Sequence, residues 1–262
     1  MPSSERSVAI DAARSAGRLL LSQLVGARRI DYKTSPTNLV TEMDRRAEAL
    51  ILDALARAFP DDAVLAEESG PRAGTSGRRW LVDPLDGTTN YAHGVPVFGV
   101  SIALETAGRA VLGVIYDPSL DELYVAERGG GAWLGDQRLA VSRTETLNES
   151  LLTTGFPYDI RTNDDNNLRE YAVFSRRARA VRRIGSAVID LAWVAAGRYD
   201  AYWELTLGPR DVAGGGLLVE EAGGRVTGIH GEPLDLDRPT LIASNGRIHD
   251  AILATLKEIR SA

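Results

Sequence analysis

The sequence predicts a layered α/β sandwich built from two halves around one cleft. Three observations carry this. Apolar residues recur every three and four positions over roughly the first 60 residues, the mark of amphipathic helices. The period then falls to two, with short turns between apolar runs, as in an antiparallel meander. From about residue 150 onward, short apolar runs alternate with helical ones, the pattern of a second sheet covered by helices. One domain over 1–262 is expected, with an α+β half at 1–148 and an α/β half at 149–262.

Residues 4–25 read as an amphipathic helix. Residues 41–59 read as a stronger one. Ala47, Leu50, Ile51, Ala54, Leu55 and Ala58 give its stripe, and Phe59-Pro60-Asp61-Asp62 stops it. Residues 64–66 and 80–82 are short strand candidates. Residues 97–105 form a longer one, with Val100, Ile102 and Leu104 alternating against Ser101, Ala103 and Glu105. Strands at 110–116 and 123–126 follow turns at Ala107-Gly108 and Asp117-Pro118-Ser119. Gly129-Gly130-Gly131 and Gly135-Asp136 flank a short hairpin arm. In the second half, strands at 151–153, 181–184, 201–205 and 241–244 alternate with helices at 165–180, 186–196, 211–222 and 249–260.

Composition narrows the function classes. The chain has 262 residues, a net charge of −6, 44% hydrophobic and 25% charged residues, which excludes disordered, collagen-like and low-complexity classes. The absence of cysteine excludes a disulfide framework, a thiolate zinc site, an iron–sulfur cluster and a cysteine nucleophile. It also fits a reducing, cytoplasmic setting. His93, His230 and His249 are dispersed, which argues against a histidine-rich metal site. Leu19-Leu20-Leu21 is far short of a signal core or a membrane span, so no membrane is expected. Arg176-Arg177-Ala178-Arg179 and Arg182-Arg183 read as a solvated helix face and its exit, not as a nucleic-acid surface.

The chemistry concentrates in acidic residues. In Trp80-Leu81-Val82-Asp83-Pro84-Leu85-Asp86-Gly87-Thr88-Thr89-Asn90, an apolar strand runs into two carboxylates. Pro84, lacking an amide hydrogen, is expected to end the strand. Gly87 permits a tight bend and a close backbone approach. Two carboxylates this close repel unless a proton or cation lies between them, and an oxygen-only site suits Mg²⁺ or Mn²⁺. Gly87-Thr88-Thr89 would supply amides and hydroxyls as an anion cradle. An EF-hand loop fails, because the glycine falls at the fifth position and the twelfth is Gly94. Glu67 and Glu68 end a strand, fitting either a cleft edge or a solvated turn. Asp44 extends the apolar stripe of its helix, fitting either a buried role or a Thr41-x-x-Asp44 capping box. Asp211 heads a glycine-rich helix that can pack closely, fitting a ligand or a simple cap.

The chain resembles the inositol monophosphatase family of lithium-sensitive, magnesium-dependent phosphatases, over nearly its whole length. The string from Trp80 to Asn90 is similar to the family's first signature, and Pro209-Arg210-Asp211-Val212-Ala213-Gly214-Gly215 to its second. Ala66-Glu67-Glu68-Ser69, Lys33-Thr34-Ser35-Pro36-Thr37-Asn38-Leu39-Val40-Thr41-Glu42-Met43-Asp44 and Arg183-Ile184-Gly185-Ser186-Ala187 resemble three further elements. The sequence departs at Arg210, where the family usually has Trp, and at Ala66, where it has Gly.

The resemblance implies a five-layer αβαβα sandwich and a homodimer. It implies two to three Mg²⁺ per subunit, with Mn²⁺ as a substitute. Glu67, Asp83 and the Leu85 carbonyl would hold one ion, and Asp83, Asp86 and Asp211 a second. A third, weaker ion would bind near Glu67. Glu67 and Thr88 would orient the attacking water, with Asp44 supporting Thr88. Asp86, Gly87, Thr88, Gly185, Ser186, Ala187 and Glu204 would line the substrate pocket, with Arg210 beside it. The expected reaction is hydrolysis of myo-inositol 1-phosphate by in-line attack of a metal-activated water. Fructose 1,6-bisphosphatase, histidinol phosphatase and 3′-phosphoadenosine 5′-phosphate phosphatase are alternatives with the same metal site. A non-catalytic module that assists a transcription complex is the alternative of another class. The partner expected is a small phosphorylated polyol or sugar, with no nucleic acid.

Overall fold

A computed structural model describes residues 4–24, 30–32 and 39–261. The first half of the upstream element beginning at Lys33, residues 33–38, therefore lies outside the described residues. α1 (Ser4–Ser22) buries Ala9, Ala12, Ala13, Ala16, Gly17 and Leu20. The small residues on this face allow close approach: a Cβ on Gly17 would lie 2.4 Å from the Tyr116 ring. β1 (Ile30–Tyr32) and β2 (Leu39–Thr41) pair antiparallel and lead into α2 (Glu42–Ala58). Thr41 and Asp44 form a reciprocal capping box at its start, an arrangement worth about 1 kcal/mol.

The buried residues of α2 are Met43, Asp44, Ala47, Glu48, Ile51 and Leu55. Leu50, expected in the stripe, is 45% exposed. The face turned inward is centred on Ala47 and Ile51, and two carboxylates occupy part of it.

The large sheet contains β3 (Ala63–Ala66), β4 (Gly70–Arg72), β5 (Arg78–Asp86), β6 (Gly99–Thr106), β7 (Arg109–Asp117), β8 (Glu122–Glu127), β9 (Gly131–Leu134) and β10 (Gln137–Arg138). Their order is β10-β9-β8-β7-β6-β5-β3-β4. The run from β5 to β10 is the expected antiparallel meander. β3 is parallel to β5 and β4 closes the edge. A short helix, α3 (Thr88–Ala92), follows β5. Both faces of β6 are buried. Val100, Ile102 and Leu104 join the core under α1 and α2, while Ala103 joins the core on the opposite side. Alternation here separates two cores rather than core from solvent.

The second sheet contains β11 (Leu151–Thr154), β12 (Ala180–Arg182), β13 (Ala201–Glu204), β14 (Arg225–Thr227) and β15 (Leu241–Ser244), in the order β12-β11-β13-β15-β14. α5 (Ala187–Ala195) and α6 (Pro209–Glu221) lie between the sheets and contact both. α4 (Leu168–Arg177) and α7 (His249–Ser261) cover the outer side. The layers therefore run αβαβα. Close packing of α6 depends on its glycines. A Cβ on Gly113 of β7 would lie 2.7 Å from the Gly214 carbonyl oxygen, and one on Gly215 would lie 2.5 Å from Leu191. Among the described residues, no helix is long and apolar enough to cross a membrane.

Candidate active site

The large sheet brings its acids to one edge by register. Ala66 pairs with Val82 across the parallel strands β3 and β5, so Glu67, just past the end of β3, stands beside Asp83 of β5. Pro84 does not end β5 as expected; the strand continues to Asp86. Asp83 pairs with Ser101 and Asp86 with Gly99, so three steps on β5 match two on β6. This one-residue bulge has a consequence for side-chain direction. In a regular strand, residues three apart face opposite sides. The bulge resets the pleat, so Asp83 and Asp86 share a side. Pro84 is tolerated because the ladder is broken there.

Asp83, Asp86 and Asp211 are each held by directed hydrogen bonds. Asp83 Oδ1 accepts a hydrogen bond from the Leu85 amide at 3.0 Å. Asp86 Oδ2 accepts from the Ser186 hydroxyl and from the Val188 amide at 3.0 Å, tying β5 to the start of α5. Asp211 sits in the first turn of α6 and accepts from the Gly208 amide at 2.6 Å. It therefore caps its helix while facing the cleft.

Glu67, Asp83, Leu85, Asp86, Gly87, Thr88, Gly185, Ser186, Ala187, Glu204, Arg210 and Asp211 all line one cleft. Its electrostatics are those of crowded acid. Burial pushes Asp83 well above the usual carboxylate range, and repulsion from Glu67, Asp86 and Asp211 adds to it. Burial raises Asp86 to about 7 against the Ser186 hydrogen bond. Burial also raises Asp211, although Arg210 opposes the shift. Arg210 is held in its charged form by Asp211, Glu67 and Asp83, despite burial that works against the charge. Among the described residues, no three acids or histidines are drawn into a closed metal cage; the acids share the cleft instead. Oxygen-only donors, buried and mutually repelling, fit a hard divalent cation. The histidines stand elsewhere: His93 is exposed at the end of α3, and His249 is buried between Thr227 and Ser244.

The inward face of α2 organises the cleft from behind. Asp44 fulfils both of its expected roles. Its Oδ2 accepts from the Thr41 amide at 2.8 Å, and its Oδ1 lies 3.0 Å from the Thr88 hydroxyl, which donates to it. Gly87 stands at φ 90°, and a Cβ there would lie 2.9 Å from the Val97 carbonyl oxygen. One turn along α2, Glu48 accepts from the Glu68 amide at 2.7 Å and the Ser69 amide at 2.9 Å. This second carboxylate was not anticipated, although its i+4 spacing from Asp44 places it on the same face. Glu48→Ala leaves two amides without acceptors. A loss of about 1–3 kcal/mol is expected in denaturant unfolding, with a rise in the KM for Mg²⁺ in any metal-dependent assay.

The second half supplies the far wall. Glu204 is buried and accepts a hydrogen bond from the Tyr202 hydroxyl. Its place depends on Gly155, since a Cβ there would lie 2.0 Å from Glu204 Oε2. Asn90, the last residue of the first signature, donates to the Val97 carbonyl at 2.8 Å and the Ile184 carbonyl at 2.7 Å, fixing the turn at Gly185. Asp190 is a further lining residue that pattern reading missed; it is buried and accepts from Thr153 Oγ1 at 2.6 Å. Its i+4 spacing from Ser186 was the available signal. Arg183, Phe156 and Tyr158 complete the rim.

Burial raises Glu204 to about 8, with Asp211 and Asp86 adding to the shift. The folded chain thus binds more protons here than the unfolded chain, so stability falls as pH rises. In chelator, the melting temperature should fall between about pH 4.5 and 8. Glu204→Gln should flatten that slope, as read by thermal denaturation across the range.

The fold and cleft define the class: an αβαβα sandwich with an oxygen-donor acidic site at the edge of the larger sheet. The Inositol monophosphatase family model matches residues 1–261, and the chain belongs to that family. It is a phosphoric monoester hydrolase, and the family is generally metal-dependent. The chain is 43% identical over 257 residues to an inositol-1-monophosphatase of Mesorhizobium japonicum, covering 97% of each chain. It is 42% identical to a Nus factor SuhB of Pseudomonas aeruginosa, covering 95% of this chain and 94% of that one. The solved inositol monophosphatase of Anabaena (Nostoc) superposes with a TM-score of 0.87 at 43% identity, covering 97% of this chain and 95% of that one.

Proposed function

We propose that this chain hydrolyses inositol monophosphate, with myo-inositol 1-phosphate as substrate, in a magnesium-dependent reaction. The observation that carries the reading is the convergence of Glu67, Asp83, Asp86 and Asp211 on one cleft beside the Thr88–Asp44 pair. Glu67, Asp83, the Leu85 carbonyl, Asp86 and Asp211 would hold two to three Mg²⁺, or Mn²⁺ in their place. When bound, these ions neutralise the phosphate dianion, activate water and stabilise the leaving oxygen.

The protein's own groups supply the alignment. Thr88 directs its hydroxyl proton at Asp44 and the Leu85 carbonyl, so a lone pair remains to accept a hydrogen bond from the attacking water. Glu67 accepts the water's other proton. The water thereby points at phosphorus opposite the leaving oxygen, the geometry of in-line displacement. Gly87 and Thr88 amides hold phosphate oxygens. Glu204 accepts from polyol hydroxyls, with Gly185, Ser186 and Ala187 forming the wall. The acceptor oxygens of Glu204 suit hydroxyl groups, which favours a polyol over a nucleotide. The family resemblance supports a homodimer and lithium inhibition, the cysteine-free composition supports a cytoplasmic setting, and the single shared cleft supports one domain of two halves.

Phosphate release with Mg²⁺ across inositol, fructose, histidinol and adenosine phosphates tests the assignment. Inositol phosphate should give the highest kcat/KM, chelation should abolish it, and Glu204→Ala should erode the preference. A higher kcat/KM for another phosphate, or activity indifferent to chelation, overturns it. The Pseudomonas relative's name, a Nus factor, favours a second, non-catalytic role beside this one. Such a role would survive Asp83→Asn, and complementation with that variant separates the two.

A further inference from the structure

Arg210 stands where the family usually places a tryptophan, and its guanidinium lies inside the acidic cleft. Its Nε is 3.5 Å from Glu67 Oε2 and 3.8 Å from Asp211 Oδ1. Gly208 leaves room for it, since a Cβ there would lie 3.1 Å from Arg210 Nη1. The Nε atom is buried and makes no hydrogen bond. Arg260 is held differently. Arg260 Nη1 and Nη2 donate to both oxygens of Asp165 at 2.8 and 2.7 Å, the forked geometry that fixes a guanidinium on a carboxylate. Arg210 is held by the charge of Asp211, Glu67 and Asp83 and by its contact with Glu67, and its Nε lies near both nearer acids without a directed bond to either.

The two acids nearest Arg210 are two of those assigned to divalent ions. A guanidinium does not lose its proton in proteins. Its charge therefore opposes a divalent ion placed among the same carboxylates, and low dielectric magnifies the opposition. We propose that Arg210 is a resident counter-cation, which neutralises Glu67 and Asp211 in the metal-free cleft and must withdraw from them when a divalent ion binds. It thus weakens metal binding relative to a neutral side chain at the same position. This rests on the metal-dependent reading above.

Titration calorimetry of Mn²⁺ into chelator-stripped protein tests it, paired with thermal denaturation of stripped and loaded samples. Arg210→Gln and Arg210→Trp should each bind Mn²⁺ about tenfold more tightly, the effect of removing roughly 1.4 kcal/mol of opposition. Each should melt below wild type when stripped and recover on loading. Arg210→Lys, which keeps the charge, should stay within about threefold of wild type. Neutral variants that bind Mn²⁺ no better than wild type overturn the proposal. So does a lysine variant that tightens as the neutral ones do, because charge would then not be the cause. Asp83→Asn separates the two levels of the argument. If it and wild type bind Mn²⁺ alike, the metal-site reading falls and this inference with it. If it loses Mn²⁺ while the neutral Arg210 variants gain nothing, only the counter-cation role falls.

Discussion

Asp83→Asn should lower phosphate release by at least about a thousandfold, the scale on which preorganised electrostatic stabilisation is lost. Asp83 is the acid that two ion positions would share, so one amide removes charge from both. Stability should move the other way. Burial and three neighbouring acids hold the Asp83 carboxyl well above its ordinary range, so its charged form costs the folded state free energy. In chelator, the asparagine variant should melt above wild type near neutral pH, whereas in saturating Mg²⁺ the order should reverse. An activity loss accompanied by lower stability in both conditions would mark Asp83 as a packing residue. This sign reversal is a stability–function trade-off of the kind expected where like charges are gathered for chemistry.

The second large effect belongs to Thr88 and Asp44 as a unit. Thr88→Ala and Asp44→Asn should each reduce kcat by about 10²–10³-fold, within the range of a positioned proton acceptor. The double variant should lose little more than the worse single variant, because residues that act through one another are strongly non-additive. Asp44 carries an added cost. Its Oδ2 accepts both the amide and the hydroxyl of Thr41, and an asparagine amide cannot accept them all while still facing Thr88. Unfolding stability should therefore drop by about 1–3 kcal/mol for Asp44→Asn, while Thr88→Ser should retain most activity. Additive losses in the double variant would show that Asp44 acts on the helix alone.

Much of this site was legible because its residues obey local rules with visible partners. The Thr41–Asp44 spacing announces a capping box, and the structure uses the same carboxylate for Thr88. Gly87 announces a bend, and its φ of 90° confirms that backbone need. Other features depend on register, which no local pattern reveals. Pro84 reads as a strand end, yet β5 carries it because a bulge removes the bond that proline cannot make. Glu48 reads as one more charge on a helix, yet the turn after β3 folds onto it. Asp190 lies in an otherwise apolar helix and is satisfied by Thr153 of β11. Short strands such as β4 and β14 are defined by their pairing with β3 and β15, so propensity alone passes over them. Leu50 errs in the opposite direction: helical spacing includes it, but the neighbouring face is the one the sheet covers.

Anomalous diffraction from crystals of the whole chain equilibrated with Mn²⁺ would address the assignment at its source. Peaks should appear among the carboxylates of Glu67, Asp83, Asp86 and Asp211, separated by roughly 3.5–4 Å as in paired-metal phosphatases, and should vanish in Asp83→Asn. A cleft that binds no Mn²⁺ at concentrations supporting full activity would contradict the account.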